Sequence, residues 1–144
     1  MSELKLHPNA ASTLECWHAM IEQMDLTALT DLLHADAVFR SPMAHSPYPG
    51  AAVVATILGT VVQVFEDFTY HRQLATGDGL SVVLEFSATV KGKQLKGIDL
   101  IRFDERGKIV DFEVMVRPMS GLQVLGDEMG RRLAPYLAAT KGKV

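Results

Sequence analysis

One acidic residue interrupts the apolar face of a predicted strand, and it is the strongest candidate for chemistry in this chain. In residues 95–103 every second side chain is small or apolar, except at Asp99. Alternate side chains of a strand point to the same side of its sheet, so Asp99 is expected to face the interior. Loss of water there disfavours the charged carboxylate, and we predict that the pKa of Asp99 is raised. Such a group marks either a functional site or an interior hydrogen bond.

Three histidines and a serine could take part in proton transfer near this carboxyl group. His18 follows Trp17 directly, His45 shares a proline-rich segment with Ser41, and His71 stands on a later predicted strand. Histidine is the commonest general base, whereas a serine hydroxyl needs a partner base. Structural roles stay open for each of them: core packing for the tryptophan, an interior hydrogen bond or loop contact for the histidines, and a turn for the serine.

Helical periodicity dominates the first half of the chain. A first helix is predicted over residues 8–24, and a second follows Asp25, a suitable N-cap. A short strand is predicted over 37–41 and ends at a proline. Residues 41–50 contain three prolines and a glycine and predict an ordered loop. A third, largely buried helix is predicted over 51–65.

Period-two alternation then predicts an antiparallel meander followed by a last helix. Its strands cover residues 68–75, 80–90, 95–103 and 108–117, and the helix covers about 120–139. Together these elements predict an α+β fold: a cone-shaped α+β barrel with three N-terminal helices packed in a curved antiparallel sheet, and an extra C-terminal helix. We expect one domain over residues 1–144, with its core at about 8–118.

The two faces of this sheet differ in composition. The inner face is apolar apart from Asp99, and with the third helix it is expected to line a hydrophobic pocket. The side chains predicted from this pattern to contact a ligand are Ile57, Val61, Leu84, Phe86, Ile101, Phe112 and Val114. The outer face mixes both charge signs with aliphatic residues, which favours a homodimer formed through that face.

Composition excludes several classes of protein. The net charge of -3 and the absence of a basic cluster argue against a nucleic-acid partner. The single cysteine, Cys16, cannot form a disulfide within the chain, and no metal-ligand spacing or phosphate-binding glycine loop is present, so we expect no metal and no cofactor. The N-terminus lacks the apolar segment of a secretory signal, and no stretch suits a membrane span; we therefore expect a cytoplasmic protein without a membrane partner.

A resemblance to a known family rests on three stretches of the sequence, which are 25–29 (DLTAL), 33–42 (LHADAVFRSP) and 97–110 (GIDLIRFDERGKIV). They resemble the nuclear-transport-factor-2-like, or SnoaL-like, superfamily, and the pattern is most similar to that of ketosteroid isomerases. The resemblance extends from about residue 14 to residue 116. It implies the cone-like fold but no single function, because this superfamily includes isomerases, dehydratases, cyclases, epoxide hydrolases and non-enzymatic domains.

The resemblance also implies which residues would act in ketosteroid isomerase chemistry. That chemistry needs a carboxylate base, and a tyrosine and a protonated aspartate that stabilise an oxyanion. The resemblance places the protonated aspartate at Asp99, the tyrosine at Trp17 and the base at Ser41. Trp17 keeps an N–H donor, but Ser41 lacks the basicity of a carboxylate. Standard ketosteroid isomerisation is therefore not expected, and proton transfer would need another base, such as His45 or His18.

Three functions are compatible with these observations. The favoured one is binding of a small hydrophobic molecule that bears a carbonyl or hydroxyl group, through Asp99. The second is an isomerase, cyclase or dehydratase-like enzyme on such a compound, in which Asp99 and Trp17 polarise an oxygen and His45 or His18 moves a proton. The third is a protein-interaction domain whose pocket is vestigial. Loss of the base and the tyrosine favours binding over catalysis.

Overall fold

The computed structural model describes residues 4–141, with side chains described as far as Tyr136. Residues 1–3 and 142–144 of the predicted domain, and the side chain of Leu137 in its last helix, lie outside the described part. Helix α1 (Pro8–Glu22) begins with a proline, and the His7 ring accepts a hydrogen bond of 3.2 Å from the Asn9 N–H at its start. Its buried side, which includes Leu14 and Trp17, faces the core.

The second helix predicted from the sequence is only a single 3-10 turn, Leu29–Leu32. The Asp25 carboxylate accepts hydrogen bonds from the backbone and hydroxyl groups of Thr27, so it closes a local turn and caps no α-helix. The chain then enters strand β1 (Leu33–Arg40), four residues earlier than predicted. The predicted α-helix was wrong: Leu29 and Leu32 lie in the 3-10 turn, and the chain is already extended at Leu33.

The predicted loop contains the two-residue strand β2 (Tyr48–Pro49), which pairs antiparallel with β1. Gly50 follows with φ of 105°, a conformation that favours glycine, and helix α2 (Ala51–Val64) begins directly after it. Helix α2 contributes the buried side chains Val54, Ile57, Leu58 and Val62 to the core.

Four long strands and a last helix complete the fold, close to the predicted bounds. They are β3 (Glu66–Ala75), β4 (Ser81–Val90), β5 (Lys93–Phe103), β6 (Ile109–Arg117) and α3 (Met119–Lys141). The strand order is β2-β1-β6-β5-β4-β3. The predicted curved α+β fold is confirmed, with one correction. Strand β1 runs parallel to β6, so the sheet is mixed, and its edge strands β2 and β3 leave it open rather than closed as a barrel.

A bulge corrects the predicted inner face of β6. Phe103 pairs with Ile109, whereas Arg102 pairs with Asp111, so one residue of β6 is skipped between them. Ile109 is fully buried in the core, and Val110 is only partly buried. Strict alternation counted back from Phe112 would turn Val110, and not Ile109, towards the interior. Beyond the bulge, Phe112 and Val114 face the interior as predicted.

The three helices lie against one side of the sheet and leave a cavity between themselves and it. The ring of Trp17 on α1 contacts the edge of Phe112 on β6, with 5.2 Å between the ring centres. Helix α3 packs on α2 and on the neighbouring strands. None of the helices in the described part of the chain is long and apolar enough to cross a membrane.

Candidate functional site

The cavity between the sheet and the helices has a volume of about 180 Å³. Helices α1, α2 and α3, the inner sheet face and the loop after β1 all contribute to its wall. Most of that wall is aliphatic or aromatic, and Asp99 is the one carboxyl group among the described residues that line it. Ser41, Tyr48 and Tyr70 supply hydroxyl groups. The cavity is therefore mostly apolar, and we call the part of its wall that holds Asp99 and Tyr70 its polar end.

Strand β5 holds Asp99 at the middle of the sheet. Its backbone pairs with Leu84 of β4 on one side and with Val114 of β6 on the other. The side chain is 6% exposed, and both neighbouring residues are apolar. This register surrounds the carboxyl group with hydrocarbon except on the side of the cavity.

A chain of two hydrogen bonds connects α1, β3 and β5 at the polar end. The Trp17 Nε1–H donates to the Tyr70 hydroxyl oxygen over 3.0 Å, and the Tyr70 O–H donates to Asp99 Oδ2 over 2.5 Å. The second distance is typical of an O–H donor that meets a charged carboxylate oxygen. The three side chains form one network, which we call the Trp17–Tyr70–Asp99 network.

Burial shifts the acidity of both titratable groups in this network. Loss of hydration raises the pKa of Asp99 to about 7, against the opposing effect of the Tyr70 hydrogen bond. Burial and then the neighbouring Asp99 charge raise the pKa of Tyr70 well above its usual value. The phenol therefore stays protonated at neutral pH, while Asp99 can change its protonation state near neutral pH. The direction of the Asp99 shift agrees with the sequence prediction.

Only one oxygen of Asp99 accepts a hydrogen bond from the described part of the chain. Among the described residues, Oδ1 accepts no hydrogen bond, and no described buried side-chain oxygen is sealed off without a partner. Oδ1 is therefore accessible from the cavity that Asp99 lines. The arrangement can receive a hydrogen bond from a ligand, or give one when the carboxyl group is protonated.

Most of the residues predicted from the sequence to contact a ligand lie on the cavity wall. These are Trp17, Ser41, Ile57, Val61, Phe112 and Val114, together with Asp99. Leu84, Phe86 and Ile101 do not reach it. All three are fully buried in the hydrophobic core, covered by side chains of the helices or of β3. Alternation predicts that a residue lies on the inner face of the sheet. It does not distinguish residues that line the cavity from residues packed in the core beside it.

The structure does not bring the predicted histidine bases to the cavity wall. His45 lies exposed in the loop after β1, and His71 is exposed with its ring 2.8 Å from the Ser87 hydroxyl. His18 is hydrogen-bonded to Gln73 over 2.9 Å, and its ring meets the edge of Tyr70 at 5.3 Å. The helical turn that points Trp17 inward turns the next residue, His18, away from the cavity.

Ser41 takes the structural role that its position before Pro42 suggested. Its hydroxyl oxygen accepts a hydrogen bond of 3.0 Å from the Met43 N–H and so stabilises the turn at the cavity rim. Within residues 4–141, no group of three or more histidine, cysteine, aspartate or glutamate side chains could hold a metal ion.

Tyr70 is the residue of the candidate site that the sequence pattern did not single out. Phe68 and Tyr70 stand two apart on β3, both line the cavity, and their rings meet edge to face at 4.8 Å. The signal was present, because two aromatic residues of equal parity on a strand share one face. The family resemblance instead places the tyrosine of the ketosteroid isomerase pattern on α1, at Trp17.

Comparison with known proteins adds a family pattern and several similar structures. The pattern of the SnoaL-like domain matches residues 14–112. A crystal structure titled steroid delta-isomerase, from Pseudomonas aeruginosa, is 70% identical, with a TM-score of 0.91 over 94% of this chain and 99% of that chain. An uncharacterised protein with a cystatin-like fold from Silicibacter pomeroyi is 34% identical, with a TM-score of 0.80 over 95% of each chain.

More distant structures share the fold alone. The epoxide hydrolase/cyclase-like enzyme SalBIII, described as acting in pyran ring formation in salinomycin, is 16% identical with a TM-score of 0.64. That similarity covers 79% of this chain and 94% of the other. No curated protein sequence is significantly similar to the chain.

Proposed function

Because the chain belongs to the SnoaL-like domain family, whose members use one fold for several chemistries, we propose a function from its own cavity: it binds a small, mostly apolar molecule that carries one hydroxyl or carbonyl group. The observation that carries this proposal is Asp99, the one carboxyl group on the described cavity wall, which presents an oxygen without a described hydrogen bond to a mostly apolar chamber. Specific small-molecule sites combine a hydrophobic wall with few, well-placed polar groups.

The size of the cavity supports a small ligand. At about 180 Å³ it is close to the roughly 150 Å³ of an engineered apolar cavity that binds benzene. It is below the roughly 300–1,000 Å³ that drug-sized ligands occupy. We therefore expect a ligand with one or two rings to fill the chamber as it stands, with its oxygen next to Asp99.

A direct binding measurement tests this proposal. We would titrate 2-naphthol, whose fluorescence reports its environment, into the parent protein, Asp99→Asn and Glu105→Gln. Glu105 is an exposed carboxylate in the β5–β6 turn, so its variant matches the charge change away from the cavity. Saturable binding to the parent and to Glu105→Gln, weakened about tenfold or more in Asp99→Asn, is expected for a charge-assisted hydrogen bond. Equal binding to all three proteins would contradict a role for Asp99.

A second candidate, proton-transfer isomerisation of an unsaturated ketone, is favoured by the pKa of Asp99. A carboxyl group with a pKa of about 7 is suited to give and take a proton at neutral pH. The 70% identical protein titled steroid delta-isomerase supports this candidate as well. With Ser41 occupied in a turn and the histidines off the wall, Asp99 itself would have to move the proton from one carbon to another.

Turnover separates the two candidates. A bicyclic β,γ-unsaturated ketone, whose size suits the cavity, gains a conjugated ultraviolet absorption when its double bond moves next to the carbonyl. A catalyst that uses Asp99 would produce this absorption, with a rate lowered at least about a hundredfold in Asp99→Asn. An unchanged rate of isomerisation in that variant would show that Asp99 does not take part in the reaction. If the parent protein does not isomerise the ketone, binding remains the proposed function.

We also propose that the outer sheet face pairs with a second copy of the chain. Ile98 and Leu100 are only partly covered there, and Met115 is 45% exposed. The same face carries a cluster of positive and negative side chains, in which Glu85 forms salt bridges with Arg72 at 2.7 Å and Lys96 at 3.0 Å. A two-fold interface needs such a self-complementary patch.

Sedimentation velocity tests this pairing. Leu100→Glu, which places a charge at the centre of the face, should shift a dimer towards the monomer. Ala11→Glu, on the exposed side of α1, is the control. A monomeric parent protein would contradict the proposal.

A further inference from the structure

The hydrogen-bond donors at the polar end of the cavity are already used by one another. Trp17 gives its N–H to Tyr70, and Tyr70 gives its O–H to Asp99. An indole has one N–H donor, and a phenol has one O–H donor. While Asp99 is ionised, neither Trp17 nor Tyr70 keeps a donor for a ligand.

Acceptors remain free at the same place. Asp99 Oδ1 has no hydrogen bond from the described residues, and it is reached from the cavity. An ionised carboxylate can only accept hydrogen bonds. A ligand group that meets Oδ1 must therefore donate one, because an acceptor such as a ketone oxygen would place its lone pairs against the negative charge.

Resting on the proposed binding function, the geometry points to the class of ligand: the ionised site takes a molecule with a hydroxyl group, such as a phenol, an enol or an alcohol, that donates to Asp99 Oδ1. A ketone enters the same place only when Asp99 carries a proton, because the carboxyl O–H then becomes a donor. The protonation state of Asp99 therefore decides whether this site binds a hydroxyl group or a carbonyl group.

In the described part of the chain, no other charged side chain lines the cavity beside Asp99. On the cavity wall, the other titratable side chains among the described residues are Tyr70 of β3 and Tyr48 of β2. The partners on β4 and β6 are the apolar Leu84 and Val114. His18 of α1 touches the Tyr70 ring from outside the cavity.

The residues that α2 and α3 present to the cavity are apolar or glycine. Burial places the pKa of Asp99 at about 7, so the change falls within an accessible pH range.

A matched set of three bicyclic probes tests the inference. 1-Tetralol, 1-tetralone and tetralin share one carbon skeleton and differ in carrying a hydroxyl group, a carbonyl group or no oxygen. Their dissociation constants would be measured by calorimetry from about pH 5.5 to about pH 9.

Above pH 7 the alcohol should bind about tenfold or more tightly than the ketone. The affinity of the ketone should fall by about tenfold for each pH unit above the Asp99 pKa, and that of the alcohol should not.

Two variants assign the effect to Asp99. Asp99→Asn keeps an amide that both donates and accepts at every pH, so the ratio of the two affinities should become independent of pH. His18→Asn removes the nearest histidine and should leave the pH dependence of the ketone unchanged. Loss of that dependence in His18→Asn but not in Asp99→Asn would overturn the inference.

The probes also separate failure of this inference from failure of the proposed function. Equal binding of alcohol and ketone at all pH values, or tighter binding of the ketone above pH 7, overturns the hydroxyl preference and leaves a binding cavity. If tetralin binds as tightly as the alcohol and the ketone, the cavity does not recognise the oxygen of the ligand, which also overturns the hydroxyl preference. No binding of any probe overturns the binding function and this inference with it.

Discussion

Tyr70 and Asp99 share a hydrogen bond of 2.5 Å although a whole strand separates their backbones. Tyr70 stands on β3 opposite Phe86 of β4, and Phe86 stands opposite Gly97 of β5. A Cβ at Gly97 would lie 2.7 Å from Phe86 Cζ and would also collide with the Met115 carbonyl. The missing side chain lets the Phe86 ring rest on β5, and the longer Tyr70 side chain reaches beyond it to Asp99.

We predict that Asp99 makes the protein less stable as pH rises towards neutral. Its pKa is about 7 in the folded chain and about 3.9 in an unfolded one, so the folded state holds the extra proton between these values. The free energy of unfolding therefore falls as pH rises through this window, and by pH values above 7 the total loss is roughly 4 kcal/mol. Asp99→Asn has no such proton, so between pH 4 and pH 8 its free energy of unfolding should gain roughly that amount relative to the parent.

Urea unfolding at several pH values measures this difference. Glu105→Gln serves as the control, because an exposed carboxylate should leave the parent's pH dependence in place. Parallel curves for the parent and Asp99→Asn would mean that the carboxylate is fully compensated by its partners, and the raised pKa would then be wrong.

A second prediction concerns the hydroxyl of Tyr70. Its hydrogen bond is the influence that lowers the pKa of Asp99, so Tyr70→Phe should raise that pKa above about 7. The variant also leaves the Trp17 N–H without its acceptor, at a cost of about 1–3 kcal/mol. Carbon-13 NMR of the aspartate carboxyl groups follows the titration directly.

Tyr48→Phe is the matched control for this titration. Tyr48 also lines the cavity, but the described hydrogen bond to Asp99 comes from Tyr70. An Asp99 titration that moves equally in both variants would show that a general change of the cavity, rather than the Tyr70 hydrogen bond, governs the carboxyl group.

Local patterns predicted the elements better than their assembly. The inward position of Asp99 followed from alternation alone, because a strand has only two faces. The parallel pairing of β1 with β6 could not be derived in this way, since periodicity carries no direction and the two strands share no hairpin. The sequence pattern does not indicate the bulge that brings Ile109 into the core either, because both Ile109 and Val110 are aliphatic.

The candidate site was predictable in its parts, but its network was not. Asp99 was identified from the face on which it stands, and Trp17 from the family resemblance. Their connection runs through Tyr70, which reaches across β4 because Gly97 makes room for Phe86. This contact depends on how β3, β4 and β5 are aligned with one another. That alignment cannot be derived from a single sequence.

A third prediction tests the contact between α3 and the loop at the cavity rim. A Cβ at Gly126 would collide with the end of the Met43 side chain, its Sδ lying 2.8 Å away, whereas a Cβ at Gly130 would meet nothing within 4 Å. Alanine favours a helix over glycine by roughly 0.5–1 kcal/mol. Gly130→Ala should therefore stabilise the protein by about that amount, and Gly126→Ala should gain less.

A double-mutant cycle isolates the contact. Adding Met43→Ala removes the obstacle, so Gly126→Ala should be more favourable in that background than in the parent, by about 0.5 kcal/mol or more. The same background should not alter the effect of Gly130→Ala. Additive effects at residues 43 and 126 in urea unfolding would contradict the contact.

The last prediction concerns the ion cluster that attaches α3 to the sheet. Glu128 is a buried carboxylate that binds Lys91 of the β4–β5 turn at 3.1 Å, Arg131 at 2.5 Å and Arg132 at 2.6 Å. These cations, Arg131 first, hold its pKa at about 2. Since this lies below the unfolded value, the stabilisation is present above about pH 4 and is lost as pH falls towards 2.

Glu128→Gln should therefore be less stable than the parent at neutral pH, and the difference should shrink as the pH falls from about 4 to 2. Its effect should be concentrated in α3, where amide hydrogen exchange should become faster because the Lys91 contact to the sheet is weakened. Asp127→Asn, the neighbouring acid, which accepts from Gln123 on the same helix, is the control. Unchanged exchange in α3 would mean that apolar packing alone holds this helix over the cavity.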